Sequence, residues 1–208
     1  MTVGTLVTAQ DEARIAEAIA KAETGTAGEI VAVIAVRSSG TGYFALLWAA
    51  LGALAVPWPL IYFTWWPMQW VFGLQLAVFF ALLAVFQLEP LQRWIVPAAV
   101  GRRWAHQRAV EQFLALGLHT TQSRTGVMIF VSVAERYAEI LADTGIDRRV
   151  PAGTWQTLVD ELTRRIGEGR AADGFLTAIA ASGRLLAEHF PPGSRNLDEL
   201  PNRLIVLR

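Results

Sequence analysis

Three aspartates near glycines are the residues of this chain whose type and spacing could do chemistry. Asp143 and Asp147 lie in the polar segment DTGIDRR, and Asp173 directly precedes a glycine. Carboxylate oxygens gathered at loop positions can bind a hard cation such as calcium or magnesium. The pattern therefore predicts a divalent-cation site made by Asp143, Asp147 and Asp173. The same residues also suit a turn and a helix start, with Asp143 in an Asx-turn and Asp173 capping its helix.

Three arginines near these aspartates could bind a phosphate group through charge-assisted hydrogen bonds, namely Arg136, Arg148 and Arg149. The alternative is a solvated loop in which they pair with Glu135 and Glu139. Spacing alone leaves both interpretations open.

The histidines and serines indicate no hydrolase constellation. The histidines are His106, His119 and His189, and no two have the HExxH spacing of a zinc site. Ser132 lacks the G-x-S-x-G elbow of a hydrolase nucleophile. The chain has no cysteine, which excludes disulfides, thiolate catalysis and Cys-ligated metals. Glu29, directly before an apolar run, could join the acidic site or simply be exposed.

The charge is distributed unevenly along the chain. The net charge is zero, and residues 38–88 contain no Asp, Glu, Lys or Arg. Between residues 90 and 110 there are four arginines and no carboxylate. A basic segment next to an apolar one favours lipid headgroups over nucleic acid. We therefore expect membrane lipid, and not nucleic acid, among the partners.

Two apolar runs, 43–64 and 70–88, predict a transmembrane helical hairpin over residues 43–88. At ~1.5 Å rise per residue each run can cross a hydrocarbon core of ~30 Å. Backbone groups find no partner in lipid, so each run should be a helix. Pro57 and Pro59 predict a kink or an early end in the first helix.

The flanks of this hairpin predict its orientation. Aromatic residues cluster around the turn, which suits the headgroup level of one leaflet. At the other end lie Arg37, Arg93, Arg102 and Arg103. By the positive-inside rule the flanks face the cytoplasm and the turn faces outward, in an inner or plasma membrane. The first eighteen residues lack a basic region followed by an apolar run, so we expect no signal peptide.

Outside the hairpin, helices alternate with strands, which predicts one α/β domain divided by the insertion. A helix capped by Thr8 precedes a strand at 28–36. After the insertion, strands at 126–133 and 137–142 form a β-hairpin, although a helix at 134–142 is the rival interpretation.

The remaining segments complete the predicted domain. Helices follow at 151–165 and 173–190, and a short edge strand at 203–207. The domain thus consists of residues 1–37 and 119–192, followed by a tail at 193–208.

Residues 91–118 read as a basic connecting helix whose apolar positions include Trp94 and Ile95. It either lies at the inner membrane interface or packs on the α/β domain as a plain connection.

The segments GVMIFVSVAERYAEILADTGI at 126–146 and DGFLTAIAASGRLLAEHFP at 173–191 resemble the TPM-domain family. The resemblance extends over residues 10–36 and 110–191, and is greatest to bacterial membrane members with two internal helices. It implies a TPM-like α/β/α sandwich, and a cation near the acidic loop residues. Distant members, lumenal proteins of thylakoids, are assigned acid-phosphatase activity.

Two functions follow as hypotheses. The first is a membrane-anchored, cytoplasm-facing module that binds a partner protein or a divalent cation. The alternative is a metal-dependent acid phosphatase-like hydrolase, in which Asp143, Asp147 and Asp173 hold the ion that activates water. A small transport component is a third idea, which the uncharged helices argue against.

Overall fold

The computed structural model describes residues 7–38, 42–88, 91, 96–121, 124–192 and 200–207. The chain divides into two compact units, which are residues 1–38 with 102–208, and residues 39–101. In chain order the elements are α1 (Ala9–Glu23), β1 (Ile30–Ala35), α2 (Gly42–Ala55), α3 (Pro57–Phe63), α4 (Met68–Val85), α5 (Ala98–Ala115), β2 (Val127–Ser132), β3 (Tyr137–Ala142), α6 (Thr144–Asp147), α7 (Thr154–Gly167), α8 (Ala171–His189) and β4 (Leu204–Leu207).

A four-stranded sheet with the order β3-β2-β1-β4 forms the centre of the first unit. β1 pairs in parallel with β2 and β4, and β3 runs antiparallel to β2. The register sets Ile30 against Val127 and Ala35 against Ser132. Every residue of β1 and β2 is buried, which explains why both strands read as continuous apolar runs.

Alternate residues of the strands bury opposite faces of the sheet. On one face, Ile30, Ala32 and Ile34 join a core with residues of α1, α7 and α8. On the other face, Val31 and Val33 join a second core with residues of α5. Helices thus cover both faces of the sheet, and the first unit is a mixed α/β sandwich, as predicted.

The helices of the first face begin and pack in specific ways. Thr8 and Asp11 form a capping box at α1, because each side chain bonds the backbone N–H of the other. α8 approaches α1 closely at Gly183, where an added Cβ would lie 2.7 Å from the Ala22 Cβ. A glycine is therefore required at the contact between these two helices.

The second unit consists of helices with exposed apolar side chains. The predicted helix at 43–64 is observed as α2 and α3, which meet at Val56, directly before Pro57. The break follows from the prolines, as the sequence indicated. An added Cβ at Gly52 of α2 would lie 2.6 Å from Leu82 Cδ1 of α4, so these helices pack closely there.

Most of the predicted strands and helices are confirmed to within a few residues. β3 spans 137–142, so the rival helix at 134–142 is wrong. The turn before it uses Arg136 at φ 49°, a left-handed conformation that is unusual outside glycine. α5 lies within the predicted connecting helix at 91–118, and Pro97 directly precedes its first residue. Its expected apolar residues Trp94 and Ile95 lie outside the described residues.

Candidate functional site

Asp143, the first predicted cation ligand, is buried and serves as a helix cap. It directly follows β3 and is the N-cap of α6, where its Oδ1 accepts a hydrogen bond of 2.6 Å from the Thr144 N–H. Only 5% of the residue is exposed. The Nε of Arg124 lies 3.0 Å from Oδ2, so a guanidinium neutralises the buried carboxylate. The hydrogen bond from Thr144 is not that of the predicted Asx-turn, because the N–H two residues on, that of Gly145, donates to the Arg124 carbonyl oxygen.

The other two aspartates lie in different surroundings. Asp147 is exposed in α6. Asp173 lies in the first turn of α8, where Arg14 Nη2 lies 3.5 Å from its Oδ1. The expectation that Asp173 caps its helix is wrong, because the N-cap residue is Arg170 and its side chain makes no capping bond.

The sequence predicts that these three aspartates bind a divalent cation. A cation at Asp143 would compete with Arg124 for the buried carboxylate. Within the described ranges, no group of three or more His, Cys, Asp or Glu side chains is arranged to hold a metal ion. The three-aspartate cation site therefore stays a prediction.

The three arginines lie at different places in the fold. Arg136 precedes β3 and Arg148 follows it, so roughly 20 Å of strand separates them. Arg149 Nη1 donates to the carbonyl oxygen of His189 at 3.0 Å, and its guanidinium lies 4.5 Å from the centre of the Phe190 ring. The three side chains therefore do not converge on one phosphate.

Glu29 is buried and not exposed, with 5% of the residue accessible. Its carbonyl oxygen accepts from the Val127 N–H at 2.8 Å, while the Asp143 N–H donates to the Gly126 oxygen at 2.9 Å. Glu29 and Asp143 therefore lie at the same end of the sheet, where β1 starts and β3 finishes. Two buried carboxylates at one end of the sheet are the feature closest to the predicted acidic site.

A second polar cluster lies on the α5 face of the sheet. His106 Nδ1 lies 3.0 Å from both carboxylate oxygens of Glu139, and the Tyr137 hydroxyl donates to Glu139 Oε2 at 3.0 Å. Burial, and then the negative charge of Glu139, raise the pKa of Tyr137 far above its ordinary value of 10.0. The raised pKa keeps the Tyr137 hydroxyl protonated at neutral pH, which suits its role as donor to Glu139.

A third cluster lies at the opposite end of the sheet, where β1 and β2 finish. The fully buried Ser132 hydroxyl donates to Glu135 and lies 2.7 Å from the Ser38 Oγ. The Ser38 N–H donates to both Glu135 oxygens, at 3.2 Å and 3.1 Å. The cluster thus holds residue 38 against the β2–β3 turn. Ser132 is too deeply buried in this arrangement to attack a substrate.

Sequence reasoning found only part of these contacts. All three histidines lie at exposed or half-buried positions. Sequence reasoning missed the pairing of His106 with Glu139, because the sequence of a helix does not indicate which strand the helix packs against. It also missed the pairing of Arg124 with Asp143. The predicted β-hairpin could have indicated that pair. Arg124 precedes its first strand and Asp143 follows its second, and the two open ends of a hairpin lie side by side.

Comparison with known proteins identifies the class of this domain. Residues 94–185 match the model of TPM_phosphatase, described as the TPM domain. The match confirms the resemblance seen in the sequence, and the chain therefore carries a TPM domain.

Among solved structures, the BA42 protein of the psychrophilic bacterium Bizionia argentinensis is similar, with a TM-score of 0.60. Its NMR structure is 22% identical in sequence, and the alignment covers 96% of this chain and 94% of that chain. At that identity the likeness shows a shared fold. No curated protein matches the chain.

Proposed function

We propose that this protein is an integral membrane protein, in which α2, α3 and α4 anchor the TPM domain to a bilayer. Two helical stretches, Gly42–Phe63 and Met68–Val85, are long and apolar enough to cross a membrane. The core helix of a soluble protein would be mostly buried. Of the most apolar 18 residues in each stretch, only 17% and 6% are buried. This exposure of apolar side chains is the observation that carries the proposal.

The aromatic residues around the short turn support one orientation. Trp65 and Trp66 are exposed between α3 and α4, as are Tyr62 and Trp70 on either side. Such side chains favour the headgroup level of a membrane. Together with the arginines on the other flanks, this pattern supports a turn that faces outward and a TPM domain that faces the cytoplasm.

Cysteine labelling tests both the anchor and its orientation, because the chain has no cysteine of its own. Trp66→Cys marks the turn, and Thr163→Cys marks an exposed position of α7. A membrane-impermeant maleimide should label Trp66→Cys in intact cells, and Thr163→Cys only after the cells are permeabilised. The reverse pattern would refute the orientation. Release of the protein from membranes by alkaline carbonate would refute the anchor.

We further propose that the anchored domain works as a binding module for a partner protein or a divalent cation. The buried carboxylates Glu29 and Asp143, at one end of the sheet, motivate a test of the cation. Calcium, magnesium and manganese are titrated into the detergent-purified protein while its thermal unfolding is followed. A ligand specific to the folded state stabilises it by about 2.7 kcal/mol at a hundredfold excess over its dissociation constant.

The matched control for this titration is the double variant Asp143→Ala/Asp173→Ala. A metal-dependent shift that disappears in the variant supports a cation module. If no metal raises the unfolding temperature of the native chain, the cation proposal fails and a protein partner remains. A shift of equal size in both proteins would mean that the ion binds elsewhere.

The alternative function, a metal-dependent acid phosphatase-like hydrolase, is motivated by the name of the matching family model. Its test is hydrolysis of a generic phosphomonoester with each of the three metals. The triple variant Asp143→Ala/Asp147→Ala/Asp173→Ala should then lose activity. Activity that survives this triple change would contradict the three-aspartate mechanism.

A further inference from the structure

One face of α5 is exposed along the whole helix. Ala109 and Phe113 pack on the sheet side, and Ala105 is also buried. On the opposite side, positions spaced by three or four residues are exposed, namely Ala99, Arg103, Gln107, Val110 and Leu114. We call these five residues the outer face of α5. Val110 and Leu114 are among the exposed large apolar residues of the chain, and 52% of Leu114 is accessible.

The first half of α5 is basic. Arg102 and Arg103 are both exposed, and no ion pair is seen for either within the described part of the chain. The first carboxylate after residue 90 is Glu111, which pairs with Arg108 at 3.2 Å. The N–H groups that begin the helix add a partial positive charge near these arginines. This end of α5 is therefore suited to an anionic surface.

The chain itself limits how far α5 can lie from a membrane. Only twelve residues separate the end of α4 at Val85 from the start of α5 at Ala98. Thirteen fully extended residue steps span at most roughly 45 Å. If α4 crosses a bilayer, a weak interaction of α5 with that bilayer is strengthened, because the tether keeps the local lipid concentration high.

We propose that the outer face of α5 binds the anionic phospholipid headgroups of the bilayer that holds the hairpin. Arg103 of this face and the neighbouring Arg102 contact the lipid phosphates, and Val110 and Leu114 enter the boundary between headgroups and acyl chains. The proposal rests on the membrane anchor proposed above, and it goes further by assigning a lipid class and a surface. In this arrangement the bilayer orients the TPM domain as well as holding it.

Spin labels on single cysteines test the proposal in the full chain, reconstituted in vesicles. Val110→Cys reports on the outer face, Thr163→Cys on an exposed position of α7, and Leu74→Cys on the anchor. The vesicles contain phosphatidylcholine alone or with added phosphatidylglycerol. Collision with oxygen reports contact with lipid, and collision with a water-soluble nickel chelate reports contact with water.

Added phosphatidylglycerol should raise the oxygen accessibility at Val110→Cys and lower its nickel accessibility, while Thr163→Cys does not change. Replacing Arg102 and Arg103 by glutamine should abolish this shift. High salt should weaken it, because the Debye length falls to ~3 Å at 1 M.

The label on α4 separates failure of the inference from failure of the anchor. If Leu74→Cys is exposed to water, the anchor itself is refuted, and the inference with it. If Leu74→Cys lies in lipid but Val110→Cys is equally wet in both vesicles, the α5 inference alone is overturned. Protection of Val110→Cys that ignores both the lipid charge and the arginines would indicate a protein contact and would also overturn it.

Discussion

The Nδ1 of His106 lies 3.0 Å from both carboxylate oxygens of Glu139, so a side-chain contact ties α5 to β3. β3 is an edge strand, and its outer backbone groups have no neighbouring strand among the described residues. Tyr137 donates to the same carboxylate from the same face of the strand. Glu139 therefore joins the edge of the sheet to the helix that covers it.

Tyr137→Phe should reduce the loss of unfolding free energy at alkaline pH. The pKa of Tyr137 is raised in the folded state by burial and by Glu139. Stability from the neutral hydroxyl is thus complete below its unfolded pKa of about 10, and is lost as the pH rises above that value. Denaturant unfolding in detergent at several pH values from neutral to alkaline measures the effect. The exposed Tyr62→Phe is the control, and equal slopes in all three proteins would contradict the prediction.

Thr8→Ala should destabilise the first unit by about 1 kcal/mol, because it removes the cap of α1.

Asp11→Asn changes the other half of this capping box, and its effect on stability should depend on pH. The hydrogen bond from the Thr8 side chain lowers the pKa of Asp11, so the contribution of this carboxylate is complete above its ordinary value of 3.8. The stability deficit of the Asp11→Asn variant should therefore shrink as the pH falls below that value. Denaturant unfolding at a series of acidic pH values measures it, and a deficit that is constant from neutral to acidic pH would exclude this linkage.

Arg136→Gly should be more stable than Arg136→Ala, by about 1 kcal/mol. Both changes remove the same exposed side chain, but only glycine adopts φ 49° without steric cost. Chemical denaturation of the two variants side by side measures the difference. Alanine equal to glycine would show that the turn relaxes to another conformation.

Gly183→Ala should destabilise the protein by roughly 1–3 kcal/mol, because its methyl group overlaps the Ala22 Cβ across the α1–α8 contact. Gly167→Ala is the matched control, since its added Cβ meets no atom within 4 Å. That change should be neutral or slightly stabilising. Unfolding temperatures of both variants in the same detergent would check the contrast, and an unaffected Gly183→Ala would show that the helices shift apart at little cost.

Local sequence patterns were sufficient to predict most of the helices and strands. The β-branched run before Ser132 and the polar turn after it placed β2 and β3 correctly, because strands buried on both faces are continuously apolar. Thr8 and Asp11 marked the start of α1 for an equally local reason. α5 likewise lies within the predicted connecting helix at 91–118.

The candidate site was predicted less well, because its contacts join distant parts of the chain. Asp143 was recognised as a turn residue, but Arg124 approaches it across the β2–β3 hairpin, and the register decides that approach. Glu29 could not be assigned to the interior from its position before a strand. Its burial depends on what covers this end of the sheet, and single-segment patterns do not contain that information.

The position of β1 in the middle of the sheet has a consequence for biosynthesis. Its partner β2 follows roughly ninety residues later, and its other partner β4 follows only after α8. At ~5–20 residues per second, β1 waits on the order of 5–20 s for its first neighbour. The apolar helices emerge within that interval. Insertion of the proposed anchor would thus begin before the domain can fold, and chaperones that shield an unpaired apolar strand would have their main task in that interval.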